Sequence, residues 1–164
     1  MKDVVDPSAM TTAELRSARA ALQMQEDVIS FVRRMAQGRC DLARDEQRRR
    51  TDGTPASGIS VSDIANVFGQ EGGGGSSRPP RETNISADHE LVVELEKLCE
   101  RVGFGELRTL ADDALDTAIA EIEKFELARS AERKNLFAKI DALTTELVKR
   151  YKDGGASVDS LLSD

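Results

Sequence analysis

The chain is poor in aromatic side chains, with no Trp, one Tyr and five Phe among its 164 residues. Large aromatic residues fill much of the core of an ordinary globular domain, so this sequence does not support a thick core of that kind. Ala, Leu, Glu, Arg and Asp dominate its regular stretches, and few runs alternate as strands do. The composition therefore predicts an all-α protein built from long helices.

An excess of positive charge and long apolar runs are also missing. The formal net charge is −7 at pH 7, whereas proteins that bind DNA, RNA or acidic membranes need clustered Lys and Arg on a basic background. No run approaches the ~20 apolar residues of a membrane span, and residues 1–10 lack the apolar stretch of a signal peptide. These absences predict a cytoplasmic protein without direct nucleic-acid or membrane binding, and favour a basic protein partner.

Residues that perform catalysis or bind metals are scarce. The single histidine, His89, stands at the start of a predicted helix, where an exposed position near the cap explains it. Cys40 and Cys99 have no second thiol or histidine at metal-ligand spacing and fit as small apolar residues in a reducing compartment. The run from Gly72 to Gly75 lacks the Lys-Ser/Thr and the preceding strand of a phosphate-binding loop. We therefore expect no metal site and no enzymatic activity.

Helix signals divide the chain into a simple series of segments. Thr11 and Glu14 fit a capping box, and good helix formers follow without Pro to Thr51. Ser86 is the predicted cap of the second helix. The predicted segments are a disordered N-terminus at 1–10, a long helix at 11–50, a flexible Gly/Ser/Pro linker at 51–86, a short helix at 87–103, a long helix at 106–152 and a mobile tail at 153–164.

A short apolar segment interrupts the predicted linker. Ile64, Val67 and Phe68 share one side of a two-turn helix predicted at 61–69. Such a helix is unstable on its own, so it either docks on the parent fold or becomes ordered on contact with a partner. In the second case these three side chains are candidate partner-binding residues.

Apolar residues recur at helical spacing along both long helices. On the first they are Leu15, Ala18, Leu22, Ile29, Val32, Ala36 and Cys40, and on the second Leu115, Ala118, Ile122, Phe125, Leu136, Ile140, Leu143 and Leu147. In an antiparallel pair, residues would meet where their numbers sum to about 167, and 106–116 would project beyond the first helix to pack on the short one. A parallel pair also fits the lengths, and these residues alone do not choose between the two.

The most informative feature is a polar pattern that occurs twice, one hundred residues apart. The first copy is Glu26, Ser30, Arg33, Gln37 and Asp41, and the second is Glu126, Ser130, Arg133, Phe137 and Asp141. The spacings of 4, 3, 4 and 4 place the five side chains of each copy within roughly 80° of arc on an α-helix. Each long helix therefore has a polar stripe beside its apolar face.

A polar stripe next to an apolar seam needs a partner, because a buried charge without one costs several kcal/mol. Its arginines need hydrogen-bond acceptors and its carboxylates need donors, whereas its serine hydroxyls can bond to a donor or to an acceptor. Guanine nucleotides fit, since O6 and N7 accept from Arg, N1–H and the exocyclic amine donate to a carboxylate, and phosphate accepts from Ser and Arg. Phe137 in place of Gln37 would exchange an amide for a stacking or apolar contact. The alternative is a solvated helix face with intrahelical ion pairs.

The pattern Glu26-x3-Ser30-x2-Arg33-x3-Gln37-x3-Asp41 resembles the signature of the RsiG family, the cyclic-di-GMP-dependent anti-sigma factors of sporulating actinobacteria. The second copy matches this signature at four of five positions, and Phe137 is the departure. The resemblance covers the helical body and implies an antiparallel coiled coil that binds a dimer of cyclic di-GMP. Binding roles carry over to Glu26, Ser30, Arg33, Gln37, Asp41, Glu126, Ser130, Arg133 and Asp141, and Phe137 stands at the remaining position of the site.

The same resemblance implies a function. The loaded protein would clamp a sporulation sigma factor of the WhiG type in a 1:1 heterodimer, keep it from core RNA polymerase and so repress late developmental genes. An acidic chain suits this target, because sigma factors expose basic promoter-binding regions. The alternative expectation is a coiled-coil adaptor that works without a nucleotide.

Overall fold

The computed structural model describes residues 6–53 and 85–154 of the chain. Its regular elements in these ranges are all helical, and the prediction of an all-α fold with two long helices and one short helix is confirmed. They are α1 (Thr12–Thr51), α2 (Glu90–Arg101) and α3 (Asp112–Lys152), with 3₁₀ turns at Pro7–Ala9 and Phe104–Glu106. No helix within the described ranges is both long and apolar enough to span a bilayer.

Several predicted segments lie outside the described residues. They are residues 1–5, most of the linker with its predicted helix at 61–69, and most of the C-terminal tail. The candidate partner-binding residues Ile64, Val67 and Phe68 are among them. The predictions for these segments stay predictions.

The start of α1 follows the predicted capping box. The Thr11 hydroxyl accepts from the backbone N–H of Glu14 at 3.2 Å, and the Glu14 carboxylate accepts from the backbone N–H of Thr11 at 2.6 Å. Two N–H groups that have no partner inside the helix are thereby satisfied. At the other end, Gly53 has a φ of 64°, a left-handed conformation that ends the helix and that residues with a Cβ rarely adopt.

The expected disorder of residues 1–10 is wrong for residues 6–10. Asp6 caps the 3₁₀ turn by accepting from the backbone N–H of Ser8 at 3.0 Å. The guanidinium of Arg150 donates to the carbonyls of Pro7, Ser8 and Met10 at 3.3, 3.1 and 2.6 Å. One long side chain therefore supplies the donors for three main-chain acceptors, which fixes this turn against the end of α3.

α2 begins later than the predicted cap at Ser86. The Ser86 hydroxyl instead accepts from the backbone N–H of Asp88 at 3.3 Å, in a turn before the helix. His89 is the cap itself, since its Nδ1 accepts from the backbone N–H of Leu91 at 3.2 Å. The histidine therefore has a structural role at the start of this helix.

α3 also begins later than predicted, at Asp112 rather than Glu106. Residues after the 3₁₀ turn form further turns, and Leu107 and Leu110 pack against the end of α1 and the start of α3. Arg50 of α1 donates to the carbonyls of these two leucines at 2.7 and 2.8 Å and to the Asp112 carboxylate at 2.7 Å. The bonds from Arg50 to two carbonyls of this segment stabilise its turns against α1.

This arrangement also corrects the expected register. Gln47 donates to Asp116 at 2.6 Å, so residues 106–116 do not project beyond α1 to pack on the short helix. The numbers of paired residues on α1 and α3 here sum to between 159 and 167. The value of about 167 that the motif spacing suggested is thus the upper end of the observed range, and most pairs lie a few residues below it.

The chain forms two compact units, and α1 and α3 contribute to both. Unit 1 is Met1–Ser30 with Ala131–Asp164, and unit 2 is Phe31–Ser130. In unit 1, Leu15 packs with Leu143 and Leu147, and Arg16 donates to the Tyr151 hydroxyl at 3.1 Å. Further along α1, Glu26 meets Arg133. Numbers rise on α1 as they fall on α3, so the helices of this unit are antiparallel.

Unit 2 contains the larger core. α2 packs its apolar face on α1 and α3 through Val92, Leu95, Leu98 and Cys99, which meet Val32, Ala36, Cys40, Ile122 and Phe125. Leu95 is fully buried, and Arg39 reinforces the contact by an ion pair with Glu96. Here too Arg33 pairs with residue 126 and Arg50 with residue 112, so the helices are antiparallel. All apolar residues predicted to line the two long helices are buried or half-buried.

A buried carboxylate near the end of α1 gives the fold a defined pH dependence. Arg49 donates to Glu46 at 2.6 and 2.8 Å and Arg50 at 2.8 Å. The hydrogen bonds from Arg49, with those from Arg50, lower the pKa of Glu46 from 4.5 to about 2. Because this pKa is lower in the folded chain than in the unfolded one, Glu46 adds stability above about pH 4.5 that is lost as the pH falls toward 2.

We therefore expect Glu46→Gln to lower the free energy of unfolding at pH 7 and to have little effect near pH 2. The measurement is urea unfolding of both proteins, followed by circular dichroism, at a series of pH values. A deficit of the variant that stays constant from pH 7 to pH 2 would contradict the assigned role of the ionised Glu46 carboxylate.

Candidate nucleotide site

In unit 2, one carboxylate gathers three donors of the polar pattern. Glu126 on α3 accepts from Arg33 Nη1 at 3.1 Å and Gln37 Nε2 at 3.2 Å, both on α1, and from Ser130 Oγ at 2.9 Å. All three donors share the same oxygen, Oε1. Only 16% of the Glu126 side chain is exposed. We call these four residues the unit 2 set.

In unit 1, the matching carboxylate belongs to the other helix. Glu26 on α1 accepts from Arg133 Nε of α3 at 2.7 Å and from the hydroxyl of Ser30. Again both donors share Oε1. The guanidinium of Arg133 stacks on the Phe137 ring, with its carbon 4.7 Å from the ring centroid. We call these four residues the unit 1 set.

Each set takes its glutamate and serine from one copy of the pattern and its remaining two residues from the other copy. Antiparallel pairing of α1 and α3 explains why each set combines residues of both copies. The glutamate and the arginine of each copy are seven residues apart, so the register that joins Arg33 to Glu126 also joins Arg133 to Glu26. The crossed pairing was not predicted from the sequence, although this equal spacing was its signal.

The fifth positions are not brought into the sets. Asp41 is exposed and lies 3.6 Å from Arg44, one helical turn further on. Asp141 is exposed on α3. The structure thus assembles eight of the ten predicted site residues and leaves both aspartates facing solvent.

The solvated-face alternative fits only part of this geometry. Asp41 does pair within its own helix, and each serine bonds the glutamate four residues before it. The two arginine–glutamate pairs, in contrast, connect α1 with α3 and are largely shielded from water, with 14% and 16% of the glutamate side chains exposed. Interhelical ion pairs with shielded glutamates differ from the exposed intrahelical pairs that a solvated helix face would have.

Both sets keep unused hydrogen-bonding capacity. Within the described ranges, Oε2 of either glutamate accepts no hydrogen bond, and neither terminal nitrogen of Arg133 donates one. Nε of Arg33 is buried and has no partner among the residues that the structure describes. A carboxylate oxygen beside an arginine edge can accept from and donate to the same planar base.

The remaining titratable groups do not suggest a metal. No group of three possible metal ligands occurs in the part of the chain that the structure describes. Cys40 and Cys99 are both buried and free. Burial raises the pKa of Cys40 to about 11 and raises the pKa of Cys99. Both thiols are therefore protonated at neutral pH and act as small core residues.

Residues 1–67 match the family model described as RsiG-like. The match confirms the resemblance seen in the polar pattern, and its range includes the whole first copy, from Glu26 to Asp41. A comparison with curated proteins gave no match.

Proposed function

We propose that this chain is an anti-sigma factor that binds a dimer of cyclic di-GMP and, when loaded, keeps a sigma factor of the WhiG type from core RNA polymerase. The observation that supports it most strongly is the recurrence of one Glu–Ser–Arg arrangement in both units, each with a glutamate oxygen that accepts no hydrogen bond from the described residues. The family match over residues 1–67 supports the same role.

The proposed binding chemistry follows from the unused groups. Oε2 of Glu26 and of Glu126 would accept from N1–H and the exocyclic amine of guanine. The arginines would donate to guanine O6 and N7 or to phosphate oxygens, contacts that a guanidinium makes in pairs. Two sets suit a ligand that supplies guanines in equivalent surroundings, as a dimer of cyclic di-GMP does.

The ligand would act through differential affinity. Bound nucleotide would bridge α1 and α3 with additional hydrogen bonds and stabilise the paired helices in the form that recognises the sigma factor. By linkage, the sigma factor would then raise the affinity for nucleotide by the same factor. The net charge of −7 would assist association with basic promoter-binding regions of the target.

Further properties belong to the same proposal. The complex would be a cytoplasmic 1:1 heterodimer, without a metal and without direct contact to DNA or RNA. The protein would not turn over the nucleotide, because its carboxylates are paired with arginines rather than clustered around a cation. Recovery of intact cyclic di-GMP after prolonged incubation is the corresponding measurement.

A pull-down tests the partner. We expect the immobilised chain to retain a purified WhiG-type sigma factor when cyclic di-GMP is present and to release most of it when the nucleotide is washed out. Cyclic di-AMP is the control, because adenine lacks the N1–H and the 2-amino group of guanine from which the glutamates would accept. Equal retention with either nucleotide, or with none, would contradict nucleotide-dependent sequestration.

One observation favours the adaptor as a second candidate. The arginine–glutamate pairs neutralise one another in the absence of any ligand, as an adaptor that binds no nucleotide would require. In that case the sigma factor or another protein would bind equally well with and without cyclic di-GMP, and the arginines would matter only for the protein complex.

A further inference from the structure

The two sets differ at the fourth position of the pattern, and this difference changes how each arginine is held. Gln37 donates its amide to Glu126 at 3.2 Å in unit 2. The Phe137 side chain cannot donate a hydrogen bond, and it lies under the Arg133 guanidinium in unit 1 instead. The same substitution removes one donor from the carboxylate and adds a flat surface beneath the arginine.

In unit 1 the arginine is oriented for a ligand. Arg133 uses Nε for Glu26 at 2.7 Å and rests one face on Phe137. Its two terminal nitrogens have no partner within the described ranges, and 37% of its side chain is exposed. A fixed guanidinium with both terminal N–H groups available can make the bidentate contact to guanine O6 and N7 without rearrangement.

In unit 2 the arginine bonds its glutamate through a different nitrogen. Arg33 uses a terminal nitrogen, Nη1, for Glu126 at 3.1 Å, while its Nε is buried and has no partner in the described part of the chain. Its side chain is 21% exposed. Nη1 therefore offers a ligand only its second N–H, so a bidentate contact through both terminal nitrogens competes with the bond to Glu126 for the orientation of this guanidinium, which costs binding free energy.

We infer that the two sets are unequal, and that the first guanine nucleotide binds at Glu26, Ser30, Arg133 and Phe137, with Phe137 positioning Arg133. The unit 2 set is filled second and more weakly. This inference rests on the proposed nucleotide binding and adds an order of occupancy that the repeated pattern alone does not contain.

The test compares two single-arginine variants by isothermal titration of cyclic di-GMP into the full chain, in the presence of the sigma factor if binding requires it. Arg33→Ala is expected to keep the first binding step within about threefold of the parent and to remove the second. Arg133→Ala is expected to weaken the first step by about tenfold or more, as loss of a bidentate contact to guanine does.

Phe137 variants test the positioning role. Phe137→Leu keeps the apolar volume without the aromatic face and should weaken the first step by about threefold to fivefold. Phe137→Tyr keeps the aromatic face and should retain the first-step affinity of the parent. Phe137→Gln should make the two steps more nearly equal, and Gln37→Phe is its matched control in unit 2. Circular dichroism of each variant verifies that the helices are retained.

The outcomes separate this inference from the proposed function. Two unequal steps, the tighter one lost with Arg133, would support the order of occupancy. Two equal steps, or a larger loss of first-step affinity for Arg33→Ala than for Arg133→Ala, would overturn it while nucleotide binding stands. The absence of any binding by the parent chain, with and without the sigma factor, would overturn both.

Discussion

Replacing both Arg33 and Arg133 by Ala should abolish measurable binding of cyclic di-GMP while leaving the helices in place. Each arginine is the donor that joins a glutamate of the opposite helix, at 3.1 and 2.7 Å. Loss of a bidentate arginine contact to guanine costs about 1–3 kcal/mol, so the two together should weaken overall binding more than about a hundredfold. Titration calorimetry measures the affinity, and circular dichroism measures the helicity.

The control for this experiment is the neighbouring basic residue of each helix. Arg34 and Lys134 are exposed and follow the two arginines directly in the sequence. Their double replacement by Ala removes the same formal charge without touching either set, so the affinity should change little. A similar loss in both double variants would attribute binding to general charge, and unaltered affinity of Arg33→Ala/Arg133→Ala would remove the site assignment.

Arg50→Ala should be the most destabilising single change on the polar surface of the chain. This side chain bonds the carbonyls of Leu107 and Leu110 and the carboxylates of Asp112 and Glu46, all between 2.7 and 2.8 Å. It therefore fixes the turn that leads into α3. Hydrogen bonds that involve a charged group contribute about 1.5–3 kcal/mol each, net of the bonds to water that they replace, and such contributions are not additive. We expect a net loss of roughly 3 kcal/mol in the free energy of unfolding by urea.

Arg48 provides the matched comparison. It is two residues away, 70% exposed, and pairs with Asp45 of the same helix. Exposed pairs of this kind contribute little, so Arg48→Ala should cost less than about 0.5 kcal/mol. Similar losses for both variants would show that helix propensity or net charge, rather than the bonds to 107–112, explains the effect of Arg50.

The structure places a counterpart of Arg50 one hundred residues further on. Arg150 bonds Glu146, four residues before it, at 2.8 Å, as Arg50 bonds Glu46. Its acceptors include the carbonyls of Pro7 and Met10, whereas those of Arg50 are the carbonyls of residues 107 and 110. The sequence separation of the two copies of the polar pattern is therefore also the separation of these two arginines, and of the turns that they bond before the long helices.

Much of the fold was predictable, because helix periodicity is a local property. The apolar residues of α1 and α3 were identified from spacing alone, and the capping box at Thr11 fixed the start of α1. The predicted start of α2 was wrong because His89, rather than Ser86, is its local cap. The predicted start of α3 was wrong because it depends on distant contacts. The sequence around Glu106 does not indicate that the carbonyls of Leu107 and Leu110 bond Arg50, which is more than fifty residues earlier in the chain.

The candidate site was predictable as a set of residues but not as a set of pairs. The repeated pattern named ten side chains, of which the structure brings eight together, whereas their contacts depend on direction and register, which the sequence left open. Phe137 shows the limit most clearly. Its departure from Gln was visible in the sequence, but its contact with Arg133 requires the geometry of one helical turn.

The most direct test of the central claim is isothermal titration of cyclic di-GMP into the purified chain, alone and with a stoichiometric amount of a WhiG-type sigma factor. We expect about two nucleotides per chain, one for each glutamate–arginine set, and tighter binding when the sigma factor is present. No heat under either condition, from a chain that circular dichroism shows to be helical, would contradict nucleotide binding and leave the nucleotide-independent adaptor as the function.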